Sequence, residues 1–157
     1  MTQPANEFLK TEQPVTPDDL ADVERLLGFT FPPEIRNHYL AFNGGCARKY
    51  LFDRNGTIHV LQEFLPVKYG RVGGRFEDVN RDLKIEEEIL PQHLFALAND
   101  PGGDFYCFSV RQHDAGSIWF YTGEYSDEPD RAVRFLASNL GEFLAGMRLD
   151  EDRSDWD

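Results

Sequence analysis

Two cysteines and four histidines are the side chains whose types could support nucleophilic or metal chemistry. Cys46 and Cys107 show no CxxC spacing, and no two histidines have the i, i+4 or short-loop spacing of zinc sites. The histidines are His38, His59, His93 and His113. A nucleophile needs a base and an orienting group, and nothing near Cys46 in the sequence supplies them, although folding could bring an imidazole close. A buried thiol and surface imidazoles explain the same residues, so we predict no enzymatic activity, no metal and no cofactor.

The second group that could do chemistry is a pair of carboxylates, Asp100 and Asp104, between two apolar runs. The intervening Asn-Asp-Pro-Gly-Gly-Asp string has the residue types of a tight turn, so residues 95–108 predict a β-hairpin. The carboxylates could in principle hold a cation, but a calcium loop needs oxygen ligands at alternate positions, and Gly102 and Phe105 offer none. Aromatic residues on both faces place this hairpin at the centre of a sheet.

A third group combines aromatic and acidic side chains after the central hairpin, which is typical of a protein-binding surface. Its members are Trp119, Tyr121, Glu124, Tyr125, Asp127 and Glu128. Tyrosine and tryptophan are favoured at interfaces, and nearby acids would steer a basic partner. Alternatively, the aromatic residues are ordinary core and the acids solvate a loop. We predict a partner-binding edge here, with the Asp100 and Asp104 turn or the acidic helix after Phe76 as the other candidate positions.

The elements that would position these residues begin with two helices. Thr16 is followed by proline and two acids, so it predicts a helix start, and Gly28 can end that helix after Leu27. A second helix is predicted from Pro33 to the Asn-Gly-Gly string at 43–45. Together they predict a helical hairpin that covers one face or end of the sheet.

The middle of the chain predicts strands and one further helix. Residues 50–61 contain Asn-Gly between two apolar runs and predict a β-hairpin. Residues 64–67 include a proline, which limits them to a sheet edge, and residues 69–75 are rich in glycine and predict a loop. Residues 75–88 predict a solvated amphipathic helix, and the Glu86-Glu87-Glu88 run is typical of a solvated helix end.

The last third predicts two strands and a helix. The strands lie at 117–121 and 132–136, and a polar loop joins them at 122–131. Apolar residues then recur at helical spacing, with Ser138 as the N-cap. They are Leu140, Phe143, Leu144 and Met147.

Both ends of the chain differ from the middle in composition. Residues 1–15 mix polar residues with two prolines, which predicts an extended arm outside the core, with Phe8 and Leu9 docking locally. Residues 149–157 hold five acids and an isolated Trp156, which predicts a mobile acidic tail.

Length and charge limit the kinds of protein this can be. The 157 residues predict one domain that folds without disulfides or metal. A net charge of −12 repels phosphate backbones and anionic membranes, so we predict no direct nucleic-acid binding and a basic protein partner. No apolar run has signal-peptide or membrane-helix length, and the two cysteines have no paired spacing, so we expect a reduced, cytosolic protein. The oligomeric state is open.

Several strings in order resemble one family. Residues 31–45, Phe-Pro-Pro-Glu-Ile-Arg-Asn-His-Tyr-Leu-Ala-Phe-Asn-Gly-Gly, resemble the Leu-Pro to Asn-Gly-Gly segment of the SUKH superfamily, the immunity proteins related to fungal cell-wall-synthesis regulators. Further matching strings are Phe64-Leu65-Pro66, Leu90-Pro91, Gly102-Gly103-Asp104 and the helix with Ser138, Phe143 and Leu144. Each string is common alone, and the specificity lies in their order and spacing over residues 16–148.

The resemblance implies a single α+β domain, mainly an antiparallel sheet with helices packed around it, spanning residues 16–148 between the arm and the tail. It implies a protein-binding function without catalysis. Many bacterial members look like cytoplasmic immunity proteins that neutralise a cognate polymorphic toxin, often a nuclease or deaminase, and occlusion by an acidic surface would fit this chain. The alternative is an intracellular regulatory interaction module without a toxin partner.

Overall fold

The computed structural model describes residues 6–151 of the chain. The helices are α1 (Pro17–Leu27), α2 (Pro33–Ala41), α3 (Phe76–Arg81), α4 (Pro129–Ala132) and α5 (Leu140–Ala145). A π-helical segment, Asp82–Glu86, continues α3, and a 3₁₀ turn, Gly123–Tyr125, precedes α4. The strands are β1 (Phe8–Leu9), β2 (Cys46–Ala47), β3 (Leu51–Arg54), β4 (Thr57–Val60), β5 (Glu63–Phe64), β6 (Leu94–Asn99), β7 (Phe105–Ser109), β8 (Ile118–Tyr121), β9 (Val133–Ala137) and β10 (Met147–Arg148).

A five-stranded antiparallel sheet, in the order β5-β6-β7-β8-β9, forms the centre of the fold. The predicted central hairpin is confirmed, because β6 and β7 pair along their length and β7 is the middle strand. The first five residues of β6 are all buried, as its apolar composition predicts. Helices pack around this sheet, so the predicted α+β fold is confirmed.

The two helices predicted for the first third of the chain are present as α1 and α2, but they pack mainly on other helices, α1 on α3 and α2 on α5. The Thr16 hydroxyl accepts from Asp19 N at 3.2 Å, and the Asp19 carboxylate accepts from Thr16 N at 2.9 Å, which forms a capping box. Gly28 ends α1 with a φ of 74°, a left-handed conformation that glycine adopts at low cost. In the link between the helices, the Phe29 ring stacks on Phe95 of β6 with centroids 4.1 Å apart. Local capping therefore sets where α1 begins and ends, and packing of Phe29 attaches the link to the sheet.

The predicted hairpin at residues 50–61 is confirmed as β3 and β4, with positive φ at Asn55 (51°) and Gly56 (80°). It belongs to a second, three-stranded sheet in the order β10-β3-β4, which the sequence does not predict. The Tyr106 hydroxyl donates to Val60 O at 2.6 Å, so the edge of β4 lies against the five-stranded sheet.

The prediction of a solvated helix at 75–88 is wrong for some of its polar residues. Asn80 is fully buried and bonds the backbone of β6 where β5 no longer pairs with it. Ala96 N donates to Asn80 Oδ1 at 2.7 Å, and Asn80 Nδ2 donates to Ala96 O at 3.0 Å. One side-chain amide thus replaces the missing strand neighbour.

Lys84 likewise bonds backbone groups, in the segment that leads into β6, and its side chain is only 8% exposed. Its ammonium group donates to the carbonyls of Pro91 (3.1 Å), Gln92 (2.8 Å) and Leu94 (2.8 Å). Burial lowers the pKa of Lys84 to about 8, so the side chain keeps its proton at neutral pH and can serve all three acceptors. Glu77 is also buried, whereas the three acids at the end of this segment, Glu86, Glu87 and Glu88, are exposed.

The arm is more closely packed than predicted. Phe8 pairs with Ala47 through β1 and β2, and its ring stacks on Phe42 with centroids 4.6 Å apart. Val15 is 6% exposed and belongs to the core. Residues 1–5 lie outside the described residues.

The C-terminal region differs from the prediction in three details. The 122–131 loop contains the 3₁₀ turn and α4. The cap of α5 is Asn139 and not Ser138, because Asn139 Oδ1 accepts from Glu142 N at 2.8 Å. After α5, β10 pairs with β3, and the Tyr50 hydroxyl donates to Asp150 at 3.0 Å, so the start of the predicted tail is docked. The rest of that tail, including Trp156, lies outside the described residues.

Candidate partner-binding site

The Asp100 to Asp104 segment is a turn held by its own carboxylate. Asp100 Oδ1 accepts from Gly102 N at 3.0 Å and from Asp104 N at 2.8 Å. Gly103 has a φ of 93°, which is the left-handed geometry that such a turn requires. Within residues 6–151 no group of three or more His, Cys, Asp or Glu side chains is arranged to hold a metal ion. The observed role of Asp100 is therefore to shape the hairpin.

One hydrogen bond brings the two predicted parts of the binding surface together. Asp104 Oδ1 accepts from Gly123 N at 3.0 Å, so the hairpin turn lies against the start of the 3₁₀ turn. Glu124 and Asp127 follow in exposed positions. Acids that are far apart in sequence thus form one acidic rim at this end of β7 and β8, which we define as Asp100, Asp104, Glu124, Asp127 and Glu128.

Tyr125 lies beside this rim and is partly buried. The Arg131 guanidinium carbon lies 3.9 Å from the centroid of the Tyr125 ring, and Arg131 also bonds the exposed Glu128 at 3.2 Å. The arginine therefore stacks on the tyrosine and partly neutralises one acid of the rim. An exposed ion pair of this kind contributes little stability, so these side chains are free to rearrange on binding.

Trp119 and Tyr121 do not lie on the acidic rim. Tyr121 is 3% exposed, and its hydroxyl is buried without a hydrogen-bond partner among the described residues, so it offers a partner little surface. Burial raises the pKa of Tyr121. Trp119 is partly buried: its Nε1 donates to Ser117 Oγ at 2.8 Å, and its ring packs edge-on against Phe135. The alternative interpretation, that residues 117–121 are core, therefore holds for Tyr121 and partly for Trp119.

A groove between the two sheets was not predicted. Its part nearer the hairpin turn measures about 370 Å³, and a second part of about 360 Å³ continues it toward Asn55. Both parts share Thr57, His59 and Arg134. The groove depends on β4 packing beside β8 and β9, and no local pattern encodes that arrangement. The one sequence signal is Ile58, an apolar residue on a short strand that proves to be 57% exposed.

The thiols and imidazoles that might support catalysis are separated by the fold. Cys107 is fully buried in β7, and burial raises the pKa of its thiol. Burial also raises the pKa of Cys46. His38 is enclosed by aromatic rings, including those of Phe8 and Phe64, and burial lowers its pKa to about 4. These shifts keep thiols protonated and the imidazole neutral, which is unlike an activated nucleophile.

The comparisons with known proteins concern the whole domain. No helix in the described part of the chain is both long and apolar enough to cross a bilayer. Comparison with curated proteins finds no match. A family-level comparison matches residues 14–146 to the SMI1 / KNR4 family (SUKH-1), and the match covers α1, α2, the five-stranded sheet, the β3 and β4 hairpin and α5. The resemblance seen in the sequence is confirmed, and the chain belongs to the SMI1 / KNR4 family (SUKH-1).

Proposed function

We propose that this chain is a cytoplasmic immunity protein that binds and neutralises a cognate polymorphic toxin by occlusion. The SUKH-1 family includes immunity proteins, which supports this class of function. The proposed toxin presents a basic surface, such as the nucleic-acid groove of a nuclease or deaminase, because the net charge of −12 favours such a partner.

The observation that carries the proposal is the acidic rim. The 3.0 Å bond from Gly123 N to Asp104 joins two acidic segments that are nineteen residues apart, and Tyr125 adds an aromatic side chain beside them. Clustered acids raise the rate of association with a basic protein, and a nearby tyrosine can supply buried contact area. The acids of the rim can therefore steer a basic partner, and Tyr125 beside them is of a residue type that often contributes strongly to binding energy.

We propose that the chain acts by binding and not by catalysis. The raised thiol pKa values of Cys46 and Cys107 support this, because the thiolate is the reactive form. A test is to assay Cys46→Ala and His38→Ala for any loss of toxin neutralisation. We expect neutralisation to persist in both variants if each remains folded. Loss of neutralisation in a folded Cys46→Ala variant would contradict a purely occluding role.

The experiment that tests the function is co-expression with the toxin of a neighbouring gene. We expect cells that express the toxin to survive only when this chain is present, and purified chain to form a complex with the toxin. Unchanged killing in the presence of the folded chain would contradict the proposal. A growth phenotype on deletion without any toxin would instead favour a regulatory interaction module.

The position of the site is tested by charge and by aromatic truncation. Neutralising Glu124, Asp127 and Glu128 together should slow association and flatten its salt dependence, because rim charges act mainly on encounter. The matched control neutralises Glu86, Glu87 and Glu88, which are equally exposed and change the net charge by the same amount. Tyr125→Ala should weaken binding by about 2 kcal/mol. Equal effects of both triple variants would show that only net charge matters.

A further inference from the structure

The groove between the two sheets has an unpaired strand edge as one wall. β4 is the last strand of the three-stranded sheet, and among residues 6–151 β3 is the one strand that pairs with it. The rings of Tyr106 and Phe120 line the floor, together with the exposed Arg134 of β9. Phe120 and His59 pack with centroids 5.0 Å apart, so the groove lies directly over the five-stranded sheet.

The pairing phase of β4 shows which backbone groups face the groove. Leu61 N donates to Tyr50 O at 2.8 Å, and in an antiparallel pair every second residue bonds the neighbouring strand. His59 therefore bonds β3, while the N–H and C=O groups of Ile58 and Val60 point away from it. The carbonyl of Val60 accepts from Tyr106, which leaves the amide of Val60 and both groups of Ile58 for another strand.

The two ends of the groove carry opposite charges. Asp100 and Asp104 line the end at the hairpin turn, Arg54 lines the other end, and Arg134 lines both parts of the groove between them. Arg54 lies over the Phe135 ring, 5.1 Å from its centroid, and its Nε is buried without a hydrogen-bond partner among the described residues. In a chain with net charge −12, two arginines that line one groove are a distinct local feature.

We propose that this groove binds an extended segment of a protein partner, which adds to β4 as a fourth strand with a carboxylate near Arg54 and Arg134. Strand addition supplies main-chain hydrogen bonds to Ile58, and the arginines supply charge complementarity. A basic residue of the segment lies at the Asp100 and Asp104 end, so the charges also set its direction. The segment belongs to the partner of the proposed function, yet its recognition can be tested alone.

The dimensions favour an extended occupant over a compact small molecule. Each part of the groove, about 370 and 360 Å³, is at the lower end of the range for small-ligand pockets, and the two parts lie in line along β4. Ile58 would form a hydrogen-bonded pair with the residue opposite it in the added strand. Because the Ile58 side chain is 57% exposed, an apolar residue is expected at that opposite position.

The experiment is selection of short random peptides displayed on phage against the immobilised full chain, followed by affinity measurements on the enriched peptides. We expect enriched peptides to share a carboxylate, an apolar residue and a basic residue in that spatial order. Ile58→Pro should weaken their binding by about tenfold or more, because it removes the outward N–H at an edge position where proline is tolerated. Ile58→Ala keeps that N–H and should weaken binding less.

Charge is tested with Arg134→Glu, which should also weaken peptide binding by about tenfold. The control is Arg71→Glu, an equal charge change at an exposed position outside the groove. Circular dichroism checks that each variant is folded. If Ile58→Pro fails to fold, amide hydrogen exchange on the unaltered chain replaces it: the peptide should protect the Ile58 and Val60 amides and leave His59, already bonded to β3, unchanged.

Absence of any enriched peptide, or enriched peptides that bind Arg134→Glu as tightly as the unaltered chain, would overturn the inference. Unchanged exchange at Ile58 in the presence of a bound peptide would do so as well. None of these assays uses a toxin, so their failure leaves the proposed function standing. Failure of the co-expression experiment, in turn, leaves peptide binding at the groove standing.

Discussion

The two sides of the β-structure end in different ways. On the β5 side, Asn80 and Lys84 reach from α3 and its π-helical continuation to bond the backbone of β6 and the segment before it. On the side where β4 and β9 are the last strands, no further described strand pairs with them, and one outward group, the Val60 carbonyl, accepts from the Tyr106 hydroxyl. The first edge is closed by buried side chains, and the second borders a groove that water can enter.

The difference shows what closing a sheet edge requires. A buried N–H or C=O group without a partner costs about 1–3 kcal/mol, so each closing side chain must match a particular backbone group. An open edge carries no such cost because water satisfies it, and it stays available for another strand. Stability is therefore expected to depend strongly on the closed edge, and recognition on the open one.

The largest expected effect is at Asn80. Asn80→Leu should destabilise the fold by about 3 kcal/mol or more, because both backbone groups of Ala96 would lose their partner in a buried position. The measurement is urea unfolding followed by circular dichroism. A loss below about 1 kcal/mol would mean that water replaces the amide and that this edge is not closed in solution.

Acidification should destabilise the protein through His38, which packs against Phe64 of the closed side. Its folded-state pKa of about 4 is below the ordinary value of 6.5, so between these values the unfolded chain binds a proton that the folded chain does not. Stability is therefore complete above about pH 6.5 and falls as the pH is lowered toward 4, by roughly 3 kcal/mol in total.

The comparison for this prediction is His59, which lines the open groove. Burial and the charge of Arg134 lower the pKa of His59, and Asp100 and Asp53 oppose that shift, whereas burial of His38 is not opposed by any such charge. The unfolding midpoint is measured between pH 7 and pH 4. Its dependence on pH should therefore be weaker in His38→Leu than in His59→Leu. An equal pH dependence in His38→Leu and the unaltered chain would exclude His38 as its source.

Lys84→Met should destabilise the fold by about 2 kcal/mol, because it keeps the apolar stem while three backbone carbonyls lose a charged donor. Thermal unfolding at neutral pH measures the loss. Lys84→Arg is the matched control, since it keeps the charge but not the compact ammonium geometry. Its thermal stability should lie between that of the unaltered chain and that of Lys84→Met. A Lys84→Met variant as stable as the unaltered chain would show that water molecules replace the ammonium group as hydrogen-bond donors to these carbonyls.

The smallest effect is expected at the open edge. Ile58→Thr should change the free energy of unfolding by no more than about 0.5 kcal/mol, because the side chain is 57% exposed and threonine suits a strand. The same urea titration used for Asn80→Leu gives the comparison. A large loss at Ile58 would mean that this edge is structural, and the contrast between the two sides would fail.

Elements with local signals can be predicted from the amino-acid sequence. The bounds of α1 follow from the Thr16 cap and Gly28, and the turn at Asn55 and Gly56 follows from residue types that accept positive φ. The central hairpin was equally predictable, because its turn residues bond their own backbone. These interactions lie within a few residues of chain, so composition and spacing are sufficient to predict them.

The burial of polar residues and the contacts between surfaces depend on tertiary packing. Asn80 and Lys84 belong to a segment whose polar composition predicts a solvated helix, yet each is buried because β6 continues past β5 and its backbone needs partners. Tyr121 was predicted at the partner surface, and its 3% exposure follows from packing that no short pattern records. The groove beside Ile58 likewise exists because two separate sheets pack together, and packing between distant segments is not encoded by any one of them.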